Sequence, residues 1–321
     1  MSQRYITTIT LNPSLDRLYQ VADFHVSGLF RLAKENQPRI QPGGKGILIA
    51  ESLSVLNNTV LAMGFCGGHA GNSLKEVLHE KGIATNFTWV ENDLRSNIFI
   101  YETKDQTITE INEAGPWVEE RDFEYFTNSL QLMLPQTDFI VLAGSIPPGI
   151  SNSAYENIIQ LCRHFFVPSL LHTTEKYLEP CLQIGSEIIC PDLRSCTKFM
   201  GVELVNTEDY IKMSELMLNA SDRTEIILSI INPSLVIAAT RNGIKVLSSD
   251  AKNEKLMPGF TDNFLGGFIN SYLKKETLEN SLIFGFASAL ACMQNLLEKI
   301  ESEEKLRDHI SRVKVQDQNE S

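Results

Sequence analysis

A carboxylate at the start of a predicted helix is the first group in this chain that is placed to do chemistry. Between Pro258 and Phe268 an apolar run turns into a helix, and Asp262 stands at the turn. The first N–H groups of a helix lack backbone partners and attract anions, and a carboxylate there can accept a proton from a bound hydroxyl. The stretch therefore indicates a phosphoryl-transfer centre. Taken alone, it is explained more simply by an N-cap role for Asp262.

Three further segments carry groups suited to an anionic ligand. The turn Gly43–Gly46 contains Lys45 and opens a predicted helix, so backbone N–H groups and one ammonium can approach a phosphate, although the Walker A spacing is absent. Arg95 and Asn97 precede a predicted strand, and a guanidinium suits bidentate phosphate binding. Ser145 follows a buried strand at its carboxyl end, where α/β sheets bind ligands. Taken singly, each is also explained by a glycine turn or a solvated side chain.

Composition excludes several classes of function. The chain has 321 residues and a net charge of −12, which argues against nucleic acid or an anionic membrane as its main partner. The six cysteines form no Cys-x-x-Cys pair, so we expect reduced thiols in a cytoplasmic protein. The six histidines show no paired metal-ligand spacing, which argues against zinc. We find neither a signal peptide nor a membrane-spanning segment.

Strands alternate with helices along most of the chain, which predicts an α/β fold with a mainly parallel sheet covered on both faces. In two segments, at about 12–40 and 94–113, apolar and polar residues alternate, which indicates half-exposed strands that do not fit the buried sheet. These segments predict a small β-sheet lid over the site. The last residues, 302–321, are charged and then polar, and we expect a partly disordered tail. The predicted strands of the main sheet are 5–11, 60–65, 138–143, 169–172, 187–190, 225–230, 235–240 and 244–248, and the main predicted helices are 47–56, 71–81, 119–134, 152–164, 207–219, 262–272 and 277–299.

Seven motifs occur together in an order that resembles the ribokinase-like, or phosphofructokinase B, sugar kinases. The resemblance runs from about Tyr5 to Asn295 and is strongest to 1-phosphofructokinases and tagatose-6-phosphate kinases. It implies a three-layer α/β/α kinase domain over residues 1–301. The motifs are Leu11-Asn-Pro-Ser-Leu-Asp16, Gly43-Gly-Lys-Gly-Ile47, Gly64-Phe-Cys-Gly-Gly68, Arg95-Ser-Asn97, Thr109-Glu-Ile-Asn-Glu113 with Gly115-Pro116, Gly144-Ser-Ile-Pro-Pro-Gly149 and Gly259-x-x-Asp262.

The resemblance implies transfer of the γ-phosphoryl group of ATP, with Mg²⁺, to a hydroxyl of a phosphorylated ketohexose. Fructose 1-phosphate and tagatose 6-phosphate both remain open as acceptors. The residue matching Asp262 is then the general base, and the lid also implies a homodimer contact. The resemblance assigns the sugar phosphate to Asp16, Gly43, Gly44, Lys45, Arg95, Asn97 and Ser145, and the anion hole and ATP to Gly259, Phe260, Thr261 and Ser229.

The segments that the resemblance assigns to ATP, here called the nucleotide side, depart from the family pattern. The usual Gly-Ala-Gly-Asp reads Gly259-Phe-Thr-Asp262, so we expect the side chains at 260 and 261 to crowd the γ-phosphate. The usual Lys-Pro-Asn-x-x-Glu reads Cys190-Pro-Asp-Leu-Arg-Ser195, which leaves Asp192 as a candidate metal ligand. Our leading hypothesis is a sugar-phosphate kinase. The alternatives are a weakly active or inactive sugar-phosphate-binding regulator and a kinase with another donor or a nucleoside-like acceptor.

Overall fold

The computed structural model describes residues 4–194, 196–251, 257–294 and 302–318. In chain order the strands are β1 (Tyr5–Thr10), β2 (Ser14–Val21), β3 (Arg39–Gly43), β4 (Val60–Cys66), β5 (Ala84–Trp89), β6 (Ile98–Glu102), β7 (Thr107–Ile111), β8 (Thr137–Ala143), β9 (Ser169–Thr173), β10 (Ile188–Pro191), β11 (Lys198–Phe199), β12 (Val202–Glu203), β13 (Ile226–Asn232), β14 (Leu235–Thr240), β15 (Gly243–Ser249) and β16 (Val313–Gln318). The helices are α1 (Lys45–Val55), α2 (Gly68–Glu80), α3 (Glu120–Met133), α4 (Ala154–His164), α5 (Glu175–Leu178), α6 (Thr207–Asn219), α7 (Phe260–Leu273), α8 (Leu278–Ala291) and α9 (Glu303–Ile310).

One large sheet organises the described part of the chain. Its strand order is β16-β15-β14-β13-β10-β9-β8-β1-β4-β5, and the neighbours from β13 through β5 pair in parallel. The central strands β8 and β9 are buried on both faces, apart from Asp138, because helices cover both sides. Helices α3, α4 and α6 pack on one face, and α1, α2, α7 and α8 pack on the other. The predicted three-layer α/β/α architecture is confirmed.

A second sheet stands apart from the large one and has the order β3-β2-β6-β7. Strands β2, β6 and β7 lie in the two segments predicted to form the lid, and β3 begins at the end of the first segment and continues to Gly43. Strand β2 pairs in parallel with β6, and the outer pairs are antiparallel. Because β2 follows β1 directly, the chain passes from the large sheet into this lid sheet within a few residues. Residues at the junction of the two sheets therefore face one another.

The end of the chain differs from expectation. The tail predicted to be partly disordered from Ser302 instead forms helix α9 and strand β16, and β16 pairs antiparallel with β15. Leu306 of α9 is fully buried against Leu56 and Cys292. This apolar contact holds α9 to the rest of the protein although most residues of the segment are charged or polar. The predicted helix 277–299 ends as α-helix at Ala291, and its last residues, 295–299, lie outside the described residues. Strand β5, which we did not predict, closes the other edge of the sheet.

Helix α7 is buried along nearly its whole length between α1 and α8. Two adjacent glycines permit this close packing. A Cβ atom at Gly266 would lie 2.5 Å from the Cβ of Ser52 in α1, and one at Gly267 would lie 2.2 Å from the Oγ of Ser288 in α8. The hydroxyl of Ser52 also donates to Oδ1 of Asn263 at 2.6 Å. These contacts fix the position of the start of α7. None of the helices in the described ranges is long and apolar enough to cross a membrane.

We expect Phe268→Ala to lower the free energy of unfolding by about 3–5 kcal/mol, because the ring is fully buried in α7 and its removal leaves a cavity. Urea unfolding followed by circular dichroism measures the change. The matched control is Tyr125→Ala on α3, whose side chain is 66% exposed and whose removal should change stability by no more than about 0.5 kcal/mol. Equal losses in the two variants would contradict the assignment of α7 to the core.

Candidate active site

A cavity of about 280 Å³ opens at the carboxyl ends of the parallel strands, beneath the lid sheet. This is the edge at which open α/β sheets bind ligands. The cavity brings together nine of the predicted site residues, which are Asp16, Gly44, Lys45, Arg95, Asn97, Ser145, Asp192, Gly259 and Asp262. The remaining wall residues are Thr10, Asn12, Leu48, Phe99, Glu110, Asn112, Gly144, Thr174, Arg194 and Pro258.

Asp262 lies in the first turn of α7 and faces this cavity. Gly259 caps the helix with a φ of +85°, a left-handed conformation that glycine adopts without strain. The Asp262 side chain is buried, and within the described part of the chain its Oδ1 has no hydrogen-bond partner. Burial raises the pKa of Asp262 above its ordinary value, although Lys45 and Arg194 act against the shift. A carboxylate with raised basicity and one free oxygen is suited to accept a proton from a ligand hydroxyl.

Asp192 anchors two cations on the cavity floor. Its Oδ2 lies 3.0 Å from Nζ of Lys45, and its Oδ1 lies 3.3 Å from Nε of Arg194. Burial alone would raise the pKa of Asp192, but the two cations outweigh burial and hold the pKa well below its ordinary value. Asp192 is therefore ionised and fully engaged by side-chain cations. Lys45, which begins α1, is held in the cavity by this pair.

The predicted metal role of Asp192 does not fit these contacts. A divalent cation would compete with both Lys45 and Arg194 for the same carboxylate. Among the described residues no group of three or more His, Cys, Asp or Glu side chains is placed to hold a metal. His172 lies near this floor but is fully buried; its Nδ1 is 2.8 Å from the carbonyl oxygen of Cys190, and burial lowers its pKa to about 3.

Asp16 forms the polar wall on the lid side of the cavity. Its Oδ1 accepts hydrogen bonds from Ser14 Oγ at 2.6 Å and from Asn97 Nδ2 at 2.9 Å. A Cβ atom at position 43 would lie 2.2 Å from its Oδ2, so Gly43 gives the carboxylate its room. Burial raises the pKa of Asp16 to about 6, while the two hydrogen bonds and Arg95 act against the shift. The arrangement leaves Asp16 able to accept hydrogen bonds from a ligand in the cavity.

Arg95 lines the cavity, but most of its donors are already used. Its Nε and Nη2 donate to the carbonyl oxygen of Asn12 at 3.1 and 2.8 Å, and its Nη1 donates to the carbonyl oxygen of Glu113 at 3.0 Å. The guanidinium therefore ties the end of β1 to the segment after β7. Phosphate binding by Arg95, as the sequence predicted, requires it to exchange some of these carbonyl contacts for the ligand.

Ten residues on the cavity wall were not predicted as site residues, and three of them make contacts that shape the site. Asn12 donates from Nδ2 to Ser145 Oγ at 3.2 Å and orients the predicted serine. Glu110 of β7 and Arg194 at the end of β10 approach each other to 4.0 Å across the cavity mouth. Arg194 lies in Cys190-Pro-Asp-Leu-Arg-Ser195, the segment that departs from the Lys-Pro-Asn-x-x-Glu pattern of the family. A cation directly after a buried strand was the signal that could have identified it.

Two expectations about the nucleotide side are corrected. Ser229 is fully buried in β13 and its hydroxyl is 2.8 Å from that of Ser214, so its side chain is directed into the core and not toward a ligand. We expected the Phe260 side chain to crowd the γ-phosphate. Its ring instead packs against Phe286 in the core, and Phe260 does not line the cavity. Thr261 is also largely buried. The backbone N–H groups at the start of α7 remain the feature by which this segment can hold an anion.

Comparison with known proteins identifies the family. The model of the pfkB family carbohydrate kinases matches residues 10–227, which is more than half of the chain. The chain belongs to the pfkB family of carbohydrate kinases. The predicted family is confirmed, and membership makes ATP the expected phosphoryl donor.

Relatives within the pfkB family align over almost the whole chain. A 1-phosphofructokinase from Bacillus subtilis is 28% identical over 312 residues, which are 97% of this chain and 99% of that protein. A tagatose-6-phosphate kinase from Staphylococcus epidermidis is 25% identical over 294 residues, which are 89% of this chain and 92% of that protein. The chain is thus similar to kinases named for two different sugar phosphates.

Solved structures agree with the ribokinase-like fold of the pfkB kinases. The crystal structure of a possible 1-phosphofructokinase from Thermotoga maritima superimposes with a TM-score of 0.92 at 31% identity, and the match covers 98% of this chain and 100% of that chain. A tetrameric inhibited form of phosphofructokinase-2 from Escherichia coli gives a TM-score of 0.83 at 19% identity, with coverage of 96% and 99%. At that identity the second comparison shows the shared fold alone.

We expect Asp16→Asn to raise the free energy of unfolding by about 1–3 kcal/mol at pH 8 and to have little effect near pH 4. The pKa of Asp16 is about 6 in the folded protein against an ordinary 3.8, so the neutral form favours folding. The stability that protonation supplies is fully present below the ordinary pKa and is lost as the pH rises through the folded pKa. Urea unfolding of both proteins from pH 4 to 8 measures the difference. Asp222→Asn, at a fully exposed site, is the control. A difference that does not vary with pH would contradict the assignment.

Proposed function

We propose that this pfkB kinase transfers the γ-phosphoryl group of ATP to a hydroxyl of a phosphorylated ketohexose, with Asp262 as the general base. One observation carries the proposal. Asp262 is a buried carboxylate with a raised pKa, its Oδ1 has no hydrogen-bond partner among the described residues, and it lies at a helix start on the wall of the cavity. The two named relatives support fructose 1-phosphate and tagatose 6-phosphate as the acceptors to test.

The acceptor side of the cavity supplies the means of holding such a sugar. Asp16 accepts hydrogen bonds from hydroxyls, and Asn97 and Ser145 offer further polar atoms on the same wall. Lys45 supplies positive charge for the phosphate of the sugar, and Gly43 and Gly44 allow the backbone to approach it closely. A sugar held in this way brings one hydroxyl to the oxygen of Asp262, which is the positioning that phosphoryl transfer requires.

Asp262 then removes the proton from the attacking hydroxyl as the bond to phosphorus forms. The transition state of phosphoryl transfer is loose, so positioning and charge stabilisation supply most of the acceleration. The N–H groups at the start of α7 point toward the developing negative charge. Mg²⁺ would enter with the phosphates of ATP, because among the described residues no group of three or more His, Cys, Asp or Glu side chains is placed to hold it.

The lid supports a further part of the proposal, which is a homodimer. Apolar side chains are exposed on the lid sheet and on the segment that joins β2 to β3. Ile40 is 55% exposed and Ile111 is 53% exposed, on the two outer strands, and Val26 and Leu29 of the joining segment are exposed more fully. An apolar surface of this kind is stabilised when a second copy covers it.

The first test is steady-state ADP formation with Mg²⁺-ATP and each of the two sugar phosphates. We expect Asp262→Asn to lower kcat by about 10²–10⁴-fold, because the amide cannot accept the proton, while sugar-phosphate binding persists. Asp222→Asn, a carboxylate exposed far from the cavity, should keep wild-type kcat. Undiminished turnover in Asp262→Asn would remove Asp262 from the role of base. Folded wild-type protein that binds a sugar phosphate without turning over would instead favour the binding or regulatory protein.

The dimer is tested by sedimentation velocity. We expect wild-type protein to sediment as a dimer and Ile40→Asp as a monomer, because a charge at the centre of an apolar contact loses its hydration without gaining a partner. The control is Leu132→Asp on α3, where the side chain is 76% exposed and lies outside the lid. A monomeric wild-type protein, or a dimer that survives Ile40→Asp, would contradict a contact through the lid.

A further inference from the structure

Arg194 occupies an unusual position between the large sheet and the lid. It lies two residues beyond Asp192 at the end of β10, and its backbone N–H and its Nε each donate to Oδ1 of that carboxylate at 3.3 Å. From there its Nη1 reaches to within 4.0 Å of Oε2 of Glu110 on lid strand β7. The guanidinium therefore spans the cavity from floor to lid, between one carboxylate of the body and one of the lid.

The three cations on the cavity wall are engaged to different degrees. Arg95 gives Nε, Nη1 and Nη2 to backbone carbonyl groups that hold the wall together. Lys45 is paired with Asp192 at 3.0 Å and is only 16% exposed. Arg194 makes longer contacts, at 3.3 to 3.5 Å with Asp192 and 4.0 Å with Glu110, and its side chain is 36% exposed. Long contacts of this kind are weak and readily exchanged for a better acceptor.

Arg194 also acts on the proposed base. Arg194 and Asp262 line the same cavity, and the charge of Arg194, after that of Lys45, counteracts the rise in the pKa of Asp262 that burial causes. A hydroxyl about to react lies against Asp262, and the phosphorus that it attacks lies within about 3–3.5 Å of that hydroxyl. The transferring group must therefore pass through the part of the cavity that Arg194 borders.

We propose that Arg194 contacts the transferring phosphoryl group and neutralises its charge during the reaction. The inference rests on the proposed kinase function and adds a catalytic residue to it. The bond between the γ-phosphorus and its bridging oxygen breaks, and the electron pair leaves with ADP. The sugar oxygen forms the new bond to phosphorus, and its proton passes to Asp262. Arg194 exchanges its contacts with Asp192 and Glu110 for the equatorial oxygens of the transferring group, a role in which an arginine can accelerate transfer substantially.

Arg194 lies near the end of β10, where the charged residues of the family pattern are missing from this chain. The family pattern places a lysine at the position of Cys190 and a glutamate at position 195, and this chain has neither. Cys190 is buried and carries no charge to the cavity, whereas Arg194 returns a cation to the same strand end. Asp192 keeps that cation at the cavity before ATP binds, and the long contacts leave the guanidinium able to turn toward a better acceptor.

Kinetics of three variants test the assignment. We expect Arg194→Gln to lower kcat by about 10²–10³-fold while the KM for the sugar phosphate changes less than about threefold, because the lost contact belongs to the transition state. Arg194→Lys should recover part of the loss, since it restores charge without the bidentate geometry. Arg121→Gln, an exposed arginine on α3, is the matched control and should retain wild-type kcat. Thermal unfolding of each variant separates loss of catalysis from loss of fold.

Two results would overturn the proposal in an active enzyme. One is a kcat for Arg194→Gln within about threefold of wild type. The other is a rise in the KM for the sugar phosphate with kcat unchanged, which would assign Arg194 to the binding of the acceptor.

If wild-type protein shows no turnover, the proposed function fails, and calorimetric binding of a non-hydrolysable ATP analogue tests the phosphate contact of Arg194 separately. Binding at least tenfold tighter in wild type than in Arg194→Gln would support the phosphate contact. Equal binding, or binding by neither, would overturn it.

Discussion

The side chains of Asp192 and Asp262 line one cavity and are largely removed from solvent, and the site depends on how their charge is compensated. An ionised carboxylate without a partner is too costly to bury, so it must be neutralised or paired. Asp192 is paired with Lys45 and Arg194 and is ionised. Asp262 shares these cations only at longer range and keeps a raised pKa. Two acids on one cavity thereby acquire different proton affinities, which is the difference that the proposed roles of structural anion and general base require.

Backbone packing decides where these groups can meet. Helix α7 reaches the sheet because Gly266 and Gly267 let α1 and α8 approach its backbone. Asp16 reaches the cavity from β2 because Gly43, directly before α1, has no Cβ atom to displace the carboxylate. In both places a missing side chain at one position sets the location of a reactive side chain at another. The site is therefore as sensitive to methyl groups at these glycines as to changes in its charged residues.

The nucleotide side differs from the family pattern in side chains more than in backbone. At the start of α7 the N–H groups are retained, and the ring of Phe260 is packed away against Phe286. Near β10 the charged residues of the pattern are absent, yet Arg194 brings a cation to the same strand end. In the proposed mechanism, Arg194 compensates in part for the lysine that the family pattern places at position 190. Electrostatic stabilisation requires charge at a place in space and not at a fixed position in the chain.

The sequence by itself determined the α/β alternation, the lid strands and the position of Asp262 at a helix start, because each is encoded by the periodicity and turn residues of a short segment. Tertiary structure alone decided that the donors of Arg95 serve backbone carbonyls, that Ser229 turns toward Ser214, and that Asp192 binds Lys45 and Arg194. It also placed the charged tail as strand β16 beside β15. These contacts join residues that are distant in the chain or choose among several local partners, and no local pattern records which of them will be neighbours.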